Sequence, residues 1–378
     1  MDFIITKEQQ RMQKAAREFL KAKYPSDFVR EMEQDEKGFT TKLWRKMNEL
    51  DWMALTVPEA YDGVGGGLLD LVLLLEEMGR ACVLGPFFST VVLGAFSIAE
   101  YGSETQKQAF LPKIANGKIR LTLALTEPET TRYDPMTVST TARPHGENYR
   151  INGTKLFVQN ASTADTLICA ACTADQVSDK NGITLFLVDA KSSGIRMTPL
   201  KAIGGEKLYE VIFTDVDVPG DRILGRLNGG EAQLKNILDY AAICKCAEMV
   251  GGAEKVLEMA ADYARERRQF GKPIGSFQSI QHHCANMLIL LEGSRYITYK
   301  AAWMLENEGG DSREVAIAKA WVSDAYKKIT ALGHQVQGGA AFMEEHDMQL
   351  FSRRSAEAAV TFGDSAYHRN RIACSLGL

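Results

Sequence analysis

The spacing of apolar positions along the chain changes twice. Up to about residue 120 it is helical. Met12, Ala15, Ala16, Phe19 and Leu20 form one stripe within residues 8–21, as an amphipathic helix requires. Residues 41–50 and 68–81 repeat the pattern. Between them Gly63, Gly65, Gly66 and Gly67, with no Gly-Lys-Ser/Thr following, read as a plain loop rather than a phosphate loop. From residue 121 to about 224 the pattern becomes that of short strands, at 121–125, 149–157, 166–171, 183–188, 195–199 and 211–216. Asn152-Gly153, set between alternating segments, predicts a hairpin turn. No helical segment separates these strands, so a barrel or sandwich is expected rather than βαβ units. From about Glu231 the helical period returns. Val250, Ala253, Leu257, Ala260 and Ala264 line one face, and no proline follows Pro273, which leaves long helices unbroken. The predicted fold is α+β: an N-terminal helical domain over 1–120, a central antiparallel β barrel or sandwich over 121–228, and a C-terminal helix bundle over 229–378.

Composition narrows the function classes. With 378 residues, 45% of them apolar and 24% charged, the chain can bury a large core and is not disordered or fibrous. Its 44 basic and 48 acidic residues leave a net charge of −4, which offers no electrostatic footprint for nucleic acid or an anionic membrane. The first residues lack a secretory pattern and no apolar run reaches a membrane span. Seven scattered cysteines, an odd number, suggest free thiols and a cytoplasmic setting. Cys169 and Cys172 form a lone C-x-x-C in an apolar stretch and read as strand packing, not zinc ligands. His282-His283 would point about 100° apart on a helix, and no H-E-x-x-H occurs, so no metal is expected. Nucleophile-elbow, P-loop and G-x-G-x-x-G motifs are missing too.

Three clusters remain. Residues 263–271, Tyr-Ala-Arg-Glu-Arg-Arg-Gln-Phe-Gly, suit a phosphate or simply a solvated basic helix end. Gln335-Val336-Gln337-Gly338-Gly339 places two glycines in a helical segment at about 1 kcal/mol each relative to alanine. They would allow another helix, or a ligand, to approach the backbone. Thr126-Glu127-Pro128 puts a hydroxyl at a strand end, where it can orient a ligand or cap a turn.

Together, in this order, these clusters resemble the acyl-CoA dehydrogenase family over essentially the whole chain. T-E-P is Thr126-Glu127-Pro128. The family's K-x-W-I-T-N is similar to Lys155-Leu156-Phe157-Val158-Gln159-Asn160. Y-A-x-x-R-x-x-F-G-x-x-I matches Tyr263, Ala264, Arg267, Phe270, Gly271 and Ile274, with Gln278 following. Q-V-x-G-G matches residues 335–339. The resemblance implies non-covalent FAD, an acyl-CoA substrate, an electron-transfer flavoprotein as acceptor, and a homotetramer or a heterotetramer with a related chain. It implies that Thr126 contacts the flavin pyrimidine ring, that Phe157 covers the flavin and that Gln159 lies near N5. Arg267, with Phe270 and Gln278 alongside, would reach the pyrophosphate of a neighbour's FAD. Gln335, Gly338 and Gly339 would accommodate its adenine half.

The departures are as informative. The family's T-E-P-x-x-G-S-D loop here continues Glu129-Thr130-Thr131-Arg132-Tyr133-Asp134, which makes Arg132 a candidate substrate contact. Phe362 stands where the family's commonest catalytic Glu lies, in Thr361-Phe362-Gly363-Asp364-Ser365, and Ala241 stands at the other known base position. Asp364 is the nearest carboxylate and the candidate base. Asp239 and Glu248 are read as solvated surface carboxylates. Phe-Gly-Asp followed by His368-Arg369, and residues 79–90 with Ser89 and Thr90 as candidate substrate contacts, resemble a branch acting on bulky CoA thioesters. Two readings follow: an FAD enzyme oxidising an alicyclic, aromatic or otherwise bulky acyl-CoA, or a half-site subunit that completes a partner's flavin pocket.

Overall fold

The computed structural model describes residues 5–129, 133–174, 182–307 and 312–378. They fall into two compact units. One comprises residues up to 31, residues 68–83 and residues 240–378, and the other residues 32–67 and 84–239. In chain order the helices are α1 (Lys7–Lys23), α2 (Ser26–Gln34), α3 (Thr41–Asn48), α4 (Leu68–Arg80), α5 (Phe96–Tyr101), α6 (Glu104–Ala115), α7 (Gly230–Glu266), α8 (Gln278–Asn307), α9 (Ser312–Gln337), α10 (Met348–Val360) and α11 (Ser365–Ser375). The strands are β1 (Leu121–Ala124), β2 (Thr141–His145), β3 (Asn148–Gln159), β4 (Thr166–Cys172), β5 (Ile183–Asp189), β6 (Ile195–Leu200), β7 (Leu208–Pro219), β8 (Ile223–Leu224), β9 (Arg268–Gln269) and β10 (Lys272–Pro273). The helical, then β, then helical order matches the expectation, and the proline-free stretch after Pro273 holds four α-helices among the described residues, two of them long, α8 and α9.

The helical unit is tied together by buried charge. Glu76 and Glu77 of α4 are 1% exposed. Arg17 of α1 grips Glu77 through two nitrogens at 2.8 and 2.7 Å. Arg295 of α8 holds Glu76 at 3.0 Å, and the Tyr299 hydroxyl donates to the same carboxylate at 2.6 Å. Glu254 of α7 lies within 3.6 Å of Arg17, Arg80 and Arg295. Buried carboxylates persist only when paired in this way.

In the other unit β1–β8 form one sheet in the order β6-β7-β3-β2-β4-β5-β8, with β1 lying parallel on β4. β4 reads TLICAAC and is buried at every position, so Cys169 and Cys172 pack as expected. All seven cysteines are free thiols. The hairpin is displaced from its predicted place. The turn is at Gly146-Glu147, between β2 and β3, and Asn152-Gly153 lies inside β3 at a bulge. Asn152 there exchanges hydrogen bonds with Asp215, its Nδ2 donating to Oδ1 at 3.1 Å and its Oδ1 accepting from the backbone N–H at 2.8 Å. A turn-forming pair has been used to kink a long strand.

That strand contains the least expected residue of the sheet. Lys155 is fully buried. Its Nζ meets Glu127 Oε1 at 2.5 Å and the Leu125 carbonyl at 3.2 Å. Glu127 also accepts from the Thr140 N–H at 2.9 Å and from the Ser139 N–H. Burial alone would raise the Glu127 carboxyl, but Lys155 and these donors outweigh it and hold it below the ordinary carboxylate range. Lys155→Met strands a buried carboxylate and is expected to cost about 3–5 kcal/mol. Lys155→Met/Glu127→Gln should recover part of that loss, and urea unfolding of the three proteins measures both.

Candidate flavin and acyl-CoA site

Each unit carries its own set of site residues. In the β unit the Lys155–Glu127 pair fastens the Thr126-Glu127-Pro128 segment to β3, and the Leu156 N–H donates to the Thr126 carbonyl at 2.8 Å. Just beyond, the β3–β7 register slips between Lys155 and Val158. The bulge turns Phe157 into left-handed backbone, φ 56°, and leaves its ring 56% exposed while Val158 is buried. Bulky residues rarely adopt that conformation, and such strain clusters at ligand sites. Gln159 is half-buried and its carbonyl accepts from the Thr122 hydroxyl at 2.6 Å. Thr126 is half-buried. Thr126, Phe157 and Gln159 are therefore held by one ion pair and one bulge.

Ser89 and Thr90 lie in a π-helical stretch, Phe88–Ala95, and are fully buried. Ser89 donates to the Pro86 carbonyl at 3.2 Å, and Thr90 accepts from the Leu121 N–H at 3.3 Å. Both hydroxyls thus serve the backbone. Arg132 lies outside the described residues.

In the helical unit α7 runs out at Glu266, and the basic cluster continues as a small hairpin rather than a frayed helix end. β9 and β10 pair antiparallel around Phe270-Gly271, φ 54° and 78°, the two positive angles of a tight hairpin turn. Phe270 is 91% exposed at the tip. Arg267 is exposed, and its guanidinium has no hydrogen-bond partner among the described residues. Gln278 opens α8 and is also exposed.

At the end of α9 a Cβ built on Gly338 or Gly339 finds no atom of the described residues within 4 Å, so helix packing is not what requires them, while Gly338 sits at φ 66°, a left-handed position that favours glycine. Nearby, Gln335 is exposed, and the buried Gln337 Nε2 has no hydrogen-bond partner among the described residues. An open glycine cradle, an orphaned amide, a free guanidinium and an exposed aromatic fit the phosphate, adenine and ring system of a flavin dinucleotide.

The remaining element is the turn between α10 and α11. Phe362 and Gly363 have φ of 59° and 94°. Asp364 caps α11, its Oδ1 accepting from the Tyr367 N–H at 2.8 Å. Lys319 of α9 and His368 of α11 hold this turn from behind. Neither was picked out among the candidate site residues. The available signal for Lys319 was a lone cation in Val315-Ala316-Ile317-Ala318-Lys319-Ala320, four residues after Val315 on an apolar face. Ala241 is fully buried in α7. Asp239 is 3% exposed, not the surface carboxylate expected. It sits where α7 turns an apolar face inward. Glu248 takes the Lys245 ammonium.

Models of the acyl-CoA dehydrogenase N-terminal, middle and C-terminal domains match residues 6–118, 122–216 and 228–377. The chain belongs to the acyl-CoA dehydrogenase family. It is 33% identical over 381 residues, the full length of both chains, to a Bacillus subtilis protein named probable acyl-CoA dehydrogenase YngJ. It is 33% identical to cyclohex-1-ene-1-carbonyl-CoA dehydrogenase of Geobacter metallireducens, over 86% of this chain and 87% of that one. A chain of the ChsE4–ChsE5 complex of Mycobacterium tuberculosis superposes with a TM-score of 0.90 at 26% identity, covering 100% of this chain and 99% of that one. The acyl-CoA dehydrogenase is an oxidoreductase for CH–CH bonds of acyl-CoA, with FAD as cofactor. Among the described residues no helix is long and apolar enough to cross a membrane.

Two predictions follow from this geometry. Gly339→Leu should leave apoprotein stability within about 0.5 kcal/mol, as at other unconstrained surface positions. It should cost at least roughly tenfold in FAD affinity, about 1.4 kcal/mol, read by denaturation of the apoprotein and by flavin absorbance. Burial, against the pull of the Phe362 carbonyl, lowers His368 from 6.5 to about 3. Between those values the unfolded chain binds the extra proton, so stability is complete above pH 6.5 and falls as pH drops toward 3. His368→Gln should flatten that acid limb.

Proposed function

We propose that this acyl-CoA dehydrogenase acts on a bulky acyl-CoA thioester, alicyclic or aromatic, with Asp364 as the base and an electron-transfer flavoprotein as acceptor. One observation carries the reading. Both positions where the family places its glutamate are apolar, Phe362 and the fully buried Ala241, while Thr126, Arg267, Gln278, Gln335, Gly338 and Gly339 are retained. Thr126, Phe157 and Gln159 would hold the flavin ring. Arg267, Phe270, Gln278, Gln335, Gly338 and Gly339 would hold the dinucleotide of a neighbouring subunit in a tetramer. Ser89, Thr90 and Arg132 are the candidate substrate-side residues.

When bound, the flavin supplies an acceptor for the β hydride and hydrogen-bond donors that acidify the α carbon. The chain's part is proton transfer. The Asp364 carboxylate takes the α proton, and the thioester becomes the α,β-unsaturated product. Its Oδ2 makes no hydrogen bond among the described residues, so one oxygen is free for this role. Support for the bulky substrate comes from the Geobacter relative, named for a cyclohexene carbonyl-CoA.

The two apolar base positions also favour a second reading, a subunit whose partner chain supplies the base. The ChsE4–ChsE5 neighbour is a complex of two named chains. Anaerobic titration with linear, branched, alicyclic and aromatic acyl-CoAs separates the readings. Bleaching of the purified chain by the alicyclic or aromatic class is the expected result. Asp364→Asn should then lower turnover by about 10²-fold or more, the usual scale for loss of a general base, with FAD retained. A flavin that stays oxidised with every thioester, but bleaches in the Phe362→Glu variant, would establish the half-site reading instead.

A further inference from the structure

Phe362 is a bulky residue held at φ 59° and followed by Gly363 at 94°. Glycine takes such a conformation freely, but a left-handed phenylalanine persists only where its surroundings over-determine it. Here the surroundings are two side chains. Lys319 is fully buried, and the three N–H groups of its Nζ are shared among four acceptors, the carbonyls of Gly363 at 2.9 Å, Ala358 at 3.2 Å and Ala359 at 3.2 Å, and the Ser323 hydroxyl at 3.1 Å. One ammonium thus satisfies the last carbonyls of α10, which the helix itself leaves without partners, and the far side of the turn. His368, 1% exposed, meets the Phe362 carbonyl through Nε2 at 2.9 Å. A carbonyl only accepts, so Nε2 carries the hydrogen and the ring is the neutral tautomer. Its Nδ1 is buried with no hydrogen-bond partner.

We propose that Lys319 and His368 are positioning residues that fix the Phe362-Gly363-Asp364 turn, and with it the direction of the Phe362 ring and the Asp364 carboxylate. For its catalytic consequence the inference rests on the proposed role of Asp364. The fixed turn itself does not. A helix C-terminus can be satisfied by water or by a glycine cap. A buried cation without a bonded carboxylate is a costly substitute. The cost is explained by what the cation does beyond capping: it joins α10 to the residue after Phe362. Both groups also act electrostatically on each other and on Asp364.

The ionisation of Lys319 gives a signature that simple core packing lacks. Burial lowers it from 10.5 to about 8. The titratable groups around it are Cys246 and Lys245 of α7, Lys327 of α9, Asp364 and His368. Burial pushes Cys246 up to about 12, so it stays neutral across this range.

The test is amide hydrogen exchange of the FAD-loaded protein between pH 7 and 9.5, corrected for intrinsic base catalysis. In the wild type, protection at residues 362–368 should fall by about tenfold above pH 8, while α9 and the rest of α10 stay protected, as expected for a local opening. In Lys319→Met the turn should already be open at pH 7, with no further step at pH 8. His368→Gln, which keeps a donor, should retain protection, and His368→Ala should lose it. With a thioester that bleaches the flavin, Lys319→Met should lower kcat about tenfold or more with KM nearly unchanged. Wild-type protection that is flat across pH 8 would overturn the proposal, and that arm needs no variant to fold. Loss of protection without loss of kcat would retain the fixed turn and remove Asp364 as the base. A chain that never bleaches leaves the exchange result standing and counts only against the proposed function.

Discussion

The segment proposed to face the flavin depends on one buried ion pair, Lys155 with Glu127. Neither side chain sees solvent. The pair joins the segment after β1 to β3, and its carboxylate also gathers the amides of Ser139 and Thr140. A buried pair of this kind is poor evidence for stability, because desolvating two charges offsets much of their attraction. Its value lies in geometry. Lys155 and these two amides hold Glu127 inside the sheet, so the loop bearing Thr126 is tied to β3. The bulge at Leu156-Phe157 follows directly, and with it the outward turn of Phe157.

The same device appears in the helical unit with different chemistry. Lys319 is buried among carbonyls rather than beside a carboxylate, and it fixes a turn instead of a strand. In both cases a lysine stands at an apolar position close to a residue whose conformation side chains usually avoid: Phe157 lies two residues after Lys155, and Phe362 precedes Gly363, whose carbonyl Lys319 holds. Phe157, Phe270 and Phe362 all have positive φ. The bulge, the hairpin tip and the helix–helix turn each present an aromatic side chain at a position the resemblance assigns to the site.

Of the positions that the resemblance assigns to the dinucleotide, Arg267, Phe270, Gln278, Gln335, Gly338 and Gly339 carry the residue types of its motifs. The glycine pair is the clearest example: among the described residues no atom lies within 4 Å of a Cβ built on either, and only Gly338, at φ 66°, has a backbone reason to be glycine. Residues at the two base positions have become apolar. An enzyme that relocated its base and a subunit that gave it up would both show this pattern, and the distinction lies in the proton acceptor, not in the cofactor cradle.

The sequence by itself determined the architecture and the family. The period of its apolar residues changes twice, and four partial motifs occur in order. Both are local properties, fixed by neighbours in the chain. Asn152-Gly153 shows where local reasoning ends. The pair favours a turn, but in β3 it is overruled by pairing along β7 and by the Asn152–Asp215 hydrogen bonds. Asp239 likewise looked like a surface carboxylate because charge usually seeks water, and only packing showed it buried. The partners of Lys155 and Lys319 are 28 and up to 44 residues away along the chain. No periodicity encodes such a contact, because a buried cation is stable only when a particular set of acceptors has been folded around it. The residues that the resemblance assigns to the site were named by the motifs alone. What holds them in place was decided by tertiary structure alone.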